Sequence, residues 1–121
     1  MANTQIVGSY LEQFFSGRVR HSQVRELLTD DFTFCDPLMS ADSADDYVDQ
    51  LKQLGDELEL HAKTRSIVGQ GDIVAALVEF QGPAGPMTYS MWFTVQDGKF
   101  ARIESIYDPR PFLAQAGGRS T

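Results

Sequence analysis

The chemistry of this chain starts from one carboxylate. The run Asp31-Phe32-Thr33-Phe34-Cys35-Asp36-Pro37 is apolar and aromatic, ends on Asp36, and is stopped by Pro37. A carboxyl group held against apolar surface is the kind that proteins tune for proton transfer. The same residue can instead cap the loop that leads to Ser43, because Asp-Pro is a common turn start. Base and turn cap are both open readings of Asp36.

Other chemistry-bearing residues are scattered. Cys35 lies in the same apolar run with no histidine beside it in sequence, so an inert buried thiol is expected rather than a nucleophile. His61 sits among Glu59, Lys63 and Arg65, which share its strand face, and is read as solvated. His21, next to Arg20, is read as a surface residue of a connector. Glu79 ends the otherwise apolar run Ile73-Val74-Ala75-Ala76-Leu77-Val78, and either meets solvent there or pairs with Arg102 across a sheet. Asp42, Asp45, Asp46 and Asp49 complement a helix dipole. They lack histidines and ligand geometry, so no metal site is expected. Gly82-Pro83-Ala84-Gly85 has neither the lysine nor the strand-loop-helix setting of a phosphate loop.

The elements that must position these groups are legible from periodicity. Ile6, Val7, Tyr10, Leu11, Phe14 and Phe15 recur at helical spacing, and Gly17 fits the stop. Ser22 reads as the N-cap of a second short helix carrying Val24, Leu27 and Leu28, with Asp30-Asp31 ending it. Phe32 to Asp36 is a short strand and Pro37 to Asp42 a loop. Ser43 with Asp46 opens a third helix whose stripe is Ala44, Tyr47, Val48, Leu51 and Leu54. After Gly55 strands follow one another: Glu59 to Val68, Ile73 to Phe80, Met87 to Gln96 and Lys99 to Tyr107. Gly69 to Asp72, the glycine- and proline-rich stretch from Gln81 to Pro86, and the hairpin signal Asp97-Gly98 separate them. Alternation puts Met87, Tyr89, Met91, Phe93 and Val95 on one face, turned to the helices. Trp92 falls on the other face with Thr88, Ser90, Thr94 and Gln96.

These elements make an α+β domain: three N-terminal helices packed in a curved antiparallel sheet, a cone-shaped barrel with room for an apolar ligand. With 121 residues, one domain is expected over 1–115, followed by a small polar tail at 116–121. A hydrophobic fraction of 42% suffices for a core. The net charge of −7 argues against nucleic acid and anionic membrane as partners. A single cysteine and no recognisable leader or membrane-spanning run point to a reducing, cytoplasmic setting. A large aromatic on the outer sheet face implies either a homodimer that covers Trp92 or a C-terminal tail packed over it.

The order of elements, the tyrosine seven residues before Gly17, the stretch Leu28-Thr29-Asp30-Asp31-Phe32-Thr33-Phe34-Cys35-Asp36-Pro37 and the close Ile103-Glu104-Ser105-Ile106-Tyr107-Asp108-Pro109 resemble the nuclear transport factor 2-like superfamily, in its SnoaL-like and ketosteroid isomerase-like branch. The fold class that follows from the resemblance is the cone-shaped, cystatin-like α+β barrel. The isomerase of this branch uses an aspartate base with a tyrosine and a protonated aspartic acid as oxyanion donors. The resemblance sets Asp36 at the base and Tyr10 at the tyrosine. The second acid would fall on Met91, or on Ser90 if the register differs by one, and neither supplies such a proton. The epoxide hydrolase pattern of an Asp-Arg-Asp group has no close counterpart, although Glu79, Arg102 and Glu104 are spread over adjacent strands.

Two functions compete. The first is a cofactor-free isomerase, cyclase or dehydratase for a small hydrophobic carbonyl compound. Asp36 would move the proton, Tyr10 would steady the enolate, and Phe14, Phe34, Met39, Tyr47, Met91 and Phe93 would line the pocket. The second is a non-catalytic domain of the same fold that binds a small ligand or simply dimerises, in which Tyr10 is a core tyrosine and the cavity is either closed by Met39, Met91 and Phe112 or has no convergent polar groups.

Overall fold

The computed structural model describes residues 2–15, 21–54, 62–82 and 85–111. Two helices open the chain: α1 (Asn3–Phe15) and α2 (His21–Glu26). They lead to strand β1 (Leu28–Cys35) and a two-residue strand β2 (Ser40–Ala41), and only then to helix α3 (Ala44–Leu54). The long strands follow as β3 (Ala62–Gln70), β4 (Ile73–Gly82), β5 (Gly85–Gln96) and β6 (Lys99–Ile106). The architecture is α+β, as the alternation of patterns implies, but the helices do not all precede the sheet. The expectation of three N-terminal helices is corrected by β1 and β2, which stand before α3.

The six strands form one sheet in the order β2-β1-β6-β5-β4-β3. Strands β3 to β6 are an antiparallel meander. The β1–β6 pair is parallel, with Phe34 opposite Ile103 and Cys35 opposite Glu104. The expected all-antiparallel sheet is therefore mixed. Parallel neighbours need a long crossover, and α3 with the meander provides one. Irregular registers at Thr64/Ser66, Thr94/Val95 and Leu28/Thr33 mark the places where the strands bend.

Several boundaries differ from the sequence reading for identifiable reasons. Helix α2 begins at His21, so Ser22 lies inside its first turn rather than before it, and His21 opens a helix rather than sitting in a connector. Leu28 is not helical. The Leu27 amide closes the last turn on the Val24 carbonyl (2.9 Å), and the Leu27 carbonyl then accepts from the Phe100 amide (2.8 Å). Pairing with β6 draws Leu28, Asp30 and Asp31 into β1, where tertiary contact overrides local propensity. The loop expected at 37–42 holds β2, which pairs back onto Phe34 and Cys35. The glycine- and proline-rich stretch is also partly strand, with Gln81 opposite Pro86 and Gly82 opposite Gly85. Asp97 and Gly98 have φ of 52° and 79°, the left-handed pair that a tight hairpin requires.

The core lies between the helices and the concave sheet face. Val7, Tyr10 and Leu11 from α1 meet Val74, Ala76 and Val78 from β4, Phe93 and Val95 from β5, and Phe100 and Ile103 from β6. Phe32 and Phe34 on β1 face Ala44, Tyr47 and Val48 of α3. Ser43 caps α3 by accepting from the Asp46 amide (3.1 Å), and Gln50 ties that helix to the Ser40 carbonyl of β2 (2.8 Å). Helix α1 runs so close to β3 that a Cβ on Gly69 would stand 2.7 Å from Thr4 Cγ2. Among the described residues no helix is long and apolar enough to cross a membrane.

Candidate functional site

Asp36 directly follows β1 and starts the turn into β2. Its Oδ1 accepts from the amides of Leu38 (2.7 Å) and Met39 (2.8 Å), and its own amide donates to the Met39 carbonyl (2.9 Å). The turn-capping role therefore exists. It engages one carboxylate oxygen. Among the described residues Oδ2 accepts no hydrogen bond, and the side chain is only half-buried. The turn thus fixes the carboxylate while leaving its second oxygen open to a proton.

The surroundings of Asp36 are phenolic. Burial is the largest cause of the raised phenols of Tyr47, Tyr89 and Tyr107, and the Asp36 charge is a smaller contribution at each. Burial, then the Asp36 charge, pushes the Tyr107 phenol up to about 12. Tyr47 is also raised to about 12, first by burial; the neighbouring Tyr10 hydroxyl works in the opposite direction and Asp36 adds to the rise. Tyr89 is raised by burial, then by Tyr107 and Asp36. All three remain neutral hydrogen-bond donors at ordinary pH.

Tyr10 is buried in the core, with its ring edge-on to Phe100 (5.0 Å) and Phe93 (6.2 Å). Burial first, then Tyr47, raises its phenol well above the usual range. The two tyrosines act on each other, and Tyr47 is the one of the pair that feels Asp36. Tyr47 is held by its neighbours on β1, 4.7 Å from the Phe34 ring and 5.1 Å from Phe32. Because unfolding returns a phenol to about 10, the stability gained by keeping Tyr47 neutral is fully present below pH 10. It is lost as pH rises from there through about 12. Urea midpoints measured at pH 8, 10 and 11.5 should fall with rising pH, and Tyr47→Phe should flatten that fall.

The remaining expected pocket residues divide. Phe14, Met39 and Met91 are partly buried against the core, whereas Phe34 and Phe93 are buried in it. Strand register decides between Met91 and Ser90. Met91 faces inward opposite Ser105, while the Ser90 hydroxyl accepts from Trp92 Nε1 on the outer face (2.9 Å). Ser105 is a buried polar residue that pattern reading passed over. Tyr89 and Tyr107 were also not singled out. Tyr89 belongs to the inward set on β5, and continuing the period of two from Ile103 and Ser105 would have reached Tyr107.

Other expectations are revised. Glu79 pairs with Arg65 at 3.7 Å rather than with Arg102, because β3 and not β6 is the neighbour of β4 on that side. Arg102 pairs with Glu104 at 3.7 Å along its own strand. These charges lie on the outer sheet face and form no inward Asp-Arg-Asp counterpart. Cys35 is half-exposed rather than buried, since alternation from the inward Phe34 turns it out. Asp45 is bonded to Arg25 (2.9 Å), which also binds Asp30 (3.1 Å), so part of the acidic cluster ties α3 to α2 and β1. His61, Phe112 and the tail at 116–121 lie outside the described residues. A groove of about 560 Å³ runs between α1 and β3, lined by Gly8, Glu12, Phe15, Ala62, Lys63, Thr64 and Ile67, and includes neither Asp36 nor Tyr10.

Helices seated on the concave face of a bent six-stranded sheet define an α+β cone of the nuclear transport factor 2-like kind. The SnoaL-like domain family matches residues 7–103, and the chain belongs to that family. A candidate ketosteroid isomerase from Kribbella flavida is 17% identical with a TM-score of 0.66, covering 89% of this chain and 82% of that one. An epoxide hydrolase of the LEH-like type from M. tuberculosis is 16% identical with a TM-score of 0.72, covering 92% and 86%. A candidate SnoaL-like polyketide cyclase from Jannaschia sp. CCS1 is 16% identical with a TM-score of 0.67, covering 94% of each chain. At these identities the likeness speaks for the fold. No curated protein sequence matches significantly.

Proposed function

We propose that the protein is a cofactor-free isomerase that moves a proton on a small hydrophobic carbonyl compound. The observation that carries this reading is Asp36 itself: a carboxylate fixed through one oxygen, open at the other, whose charge falls on three neutral phenols. Such a group needs a partner with an acidic C–H and an oxygen that can take negative charge. An enolisable ketone has both.

In the first step Asp36 Oδ2 takes the proton from the carbon next to the carbonyl. The C–H electron pair moves into a carbon–carbon double bond and the carbonyl pair moves to oxygen, giving an enolate. In the second step the enolate reforms the carbonyl while the distant carbon of the conjugated system takes the proton back from Asp36. Nothing is oxidised or reduced, and no cofactor is consumed. Phe14, Phe34, Met39, Tyr47, Met91 and Phe93 would provide the apolar setting, and the neutral phenols of Tyr10 and Tyr47 would serve as donors to the forming oxyanion. Cyclase or dehydratase chemistry would begin with the same proton abstraction.

The test is conversion of cyclohex-3-enone to its conjugated isomer, followed by absorbance, together with deuterium uptake from D₂O by NMR. Turnover that depends on Asp36 supports the reading. Ligand binding with no Asp36-dependent exchange of any enolisable ketone would favour the non-catalytic alternative.

We further infer that a second copy of the chain covers the outer sheet face. Trp92 (46% exposed), Val68 (67%), Leu77 (36%) and Ile106 (55%) share that face. The registers align Val68 and Trp92 through Ala75, and Leu77 and Ile106 through Ser90, so the apolar side chains are neighbours. Arg102 and Glu104 flank them with opposite charges, and a two-fold axis could exchange these pairs between copies. Trp92→Glu should convert a dimer to a monomer in sedimentation velocity; a wild-type chain that sediments as a monomer at high concentration would refute the interface.

A further inference from the structure

Among the described residues Ser105 is the one polar side chain buried with the core, at 6% exposure. Strand register fixes its neighbours. On β5 it stands opposite Met91. On the other side, the parallel pairing sets Phe34 beside Ile103 and Cys35 beside Glu104. Asp36, one residue past β1, thus comes level with Ser105. Phe34 and Ile103 are both buried, and two residues further along each strand the side chains return to that face. The serine and the carboxylate are therefore neighbours, at about the 4.8 Å spacing of adjacent strands.

The Ser105 hydroxyl has no work to do inside the protein. Among the described residues it neither donates nor accepts a hydrogen bond. Other serines do: Ser43 caps α3, and Ser90 accepts from Trp92. Asp36 takes its hydrogen bonds from Leu38 and Met39 instead. Phe34, Ile103 and Met91 offer no polar atom in their side chains. A buried hydroxyl without a partner costs stability through its lost hydration, and alanine would fill the same space without that cost. A serine at this point of the concave face suits a polar atom brought in from outside.

Resting on the isomerase reading above, we propose that Ser105 determines specificity by binding a second oxygen of the substrate, one that takes no charge in the reaction. Its position says where that oxygen lies. Asp36 reaches the acidic C–H from one strand, and Ser105 reaches the ligand from the next. One strand spacing puts the second oxygen about two bonds from the carbon that gives up its proton. The substrate class narrows accordingly to ketones with an oxygen on the third carbon. A hydroxyl there fits best, because it can both accept from the serine and donate to it. A plain ketone would leave the Ser105 hydroxyl dry, and a site built this way rejects the ligand that lacks the group.

The test measures binding rather than turnover. It uses Asp36→Asn, which keeps the oxygen that holds the turn but has no base, so the ligands stay intact. Cyclohexanone and 3-hydroxycyclohexanone are titrated by NMR; both are uncharged and differ in one hydroxyl. The hydroxyketone should bind about tenfold more tightly. Adding Ser105→Ala should bring the two ketones within twofold of each other, and Ser105→Thr, which keeps the hydroxyl, should retain the preference. The urea midpoint of ligand-free Ser105→Ala should stay the same or rise. A preference that survives Ser105→Ala would overturn the assignment, as would no binding of the hydroxyketone. An equal loss for both ketones would mean that the serine holds only water or shapes the wall, and a lower urea midpoint would mean that its hydroxyl serves the fold; either overturns it. The isomerase reading is judged apart, by exchange of cyclohex-3-enone in the wild-type chain, and can fail while the preference stands.

Discussion

Asp36→Asn is expected to lower proton exchange by roughly 10²–10⁴, the usual contribution of a general base, with almost no change in the urea midpoint. The reason lies in how the carboxylate is used. Oδ1 accepts from Leu38 and Met39 and holds the turn into β2. Asparagine keeps that oxygen, so the turn survives, and loses only the oxygen that would take the proton. Asp36→Ala removes both, and should cost about 1 kcal/mol, because the part-buried Met39 amide loses its acceptor while the exposed Leu38 amide turns to water. Comparing the two variants separates base from cap. If Asp36 is a cap alone, the asparagine chain keeps whatever exchange activity the wild type has. If it is a base, activity collapses in a chain that is as stable as the original.

Phe93→Ala is expected to destabilise the domain by about 3–5 kcal/mol, a large share of the 5–15 kcal/mol typical of a single domain. Phe93 has no exposed surface. Its ring lies 5.1 Å from Phe100 and 6.2 Å from Tyr10, between the middle of the sheet and α1. Truncation leaves a cavity walled by strands paired on both sides, which cannot close in to fill it. Phe93→Leu, which keeps more of the volume, should cost less than half as much. Chemical denaturation measures both. A loss below about 1 kcal/mol for the alanine variant would mean that the site collapses easily and that Phe93 borders open space instead of core.

Much of this arrangement could be read in the chain because its signals are local. The α1 stripe, the Ser43 cap, the Asp97-Gly98 hairpin and the alternation that turns Phe93 in and Trp92 out each depend on a few consecutive residues. What escaped depends on pairing between distant residues. Leu28 reads as helical until Phe100 is placed beside it. Glu79 reads as a partner of Arg102 until strand order sets Arg65 on its flank. Asp36 and Tyr10 could be picked out as candidates, whereas Tyr47, whose phenol responds to both, was visible only as a pocket wall. Tyr107 was read as the last residue of the final strand, but its stacking on Tyr89 depends on the register between β5 and the segment after β6, which no local signal carries.

The parallel β1–β6 pairing has a consequence for assembly. Strand β1 emerges early in synthesis but has no partner in the main sheet until β6, the last strand, exists. The meander from β3 to β6 can form from near neighbours, whereas docking of β1 must wait for a contact across most of the sequence, and such contacts are slow to form. Asp36, at the end of β1, therefore joins the phenols of β5 and of the segment after β6 only in the final stage of folding. Until then the edges of β1 and β6 are open to other chains. Conditions that slow the last step, such as high concentration during refolding, should favour aggregation through that pair of edges rather than through the outer face that carries Trp92.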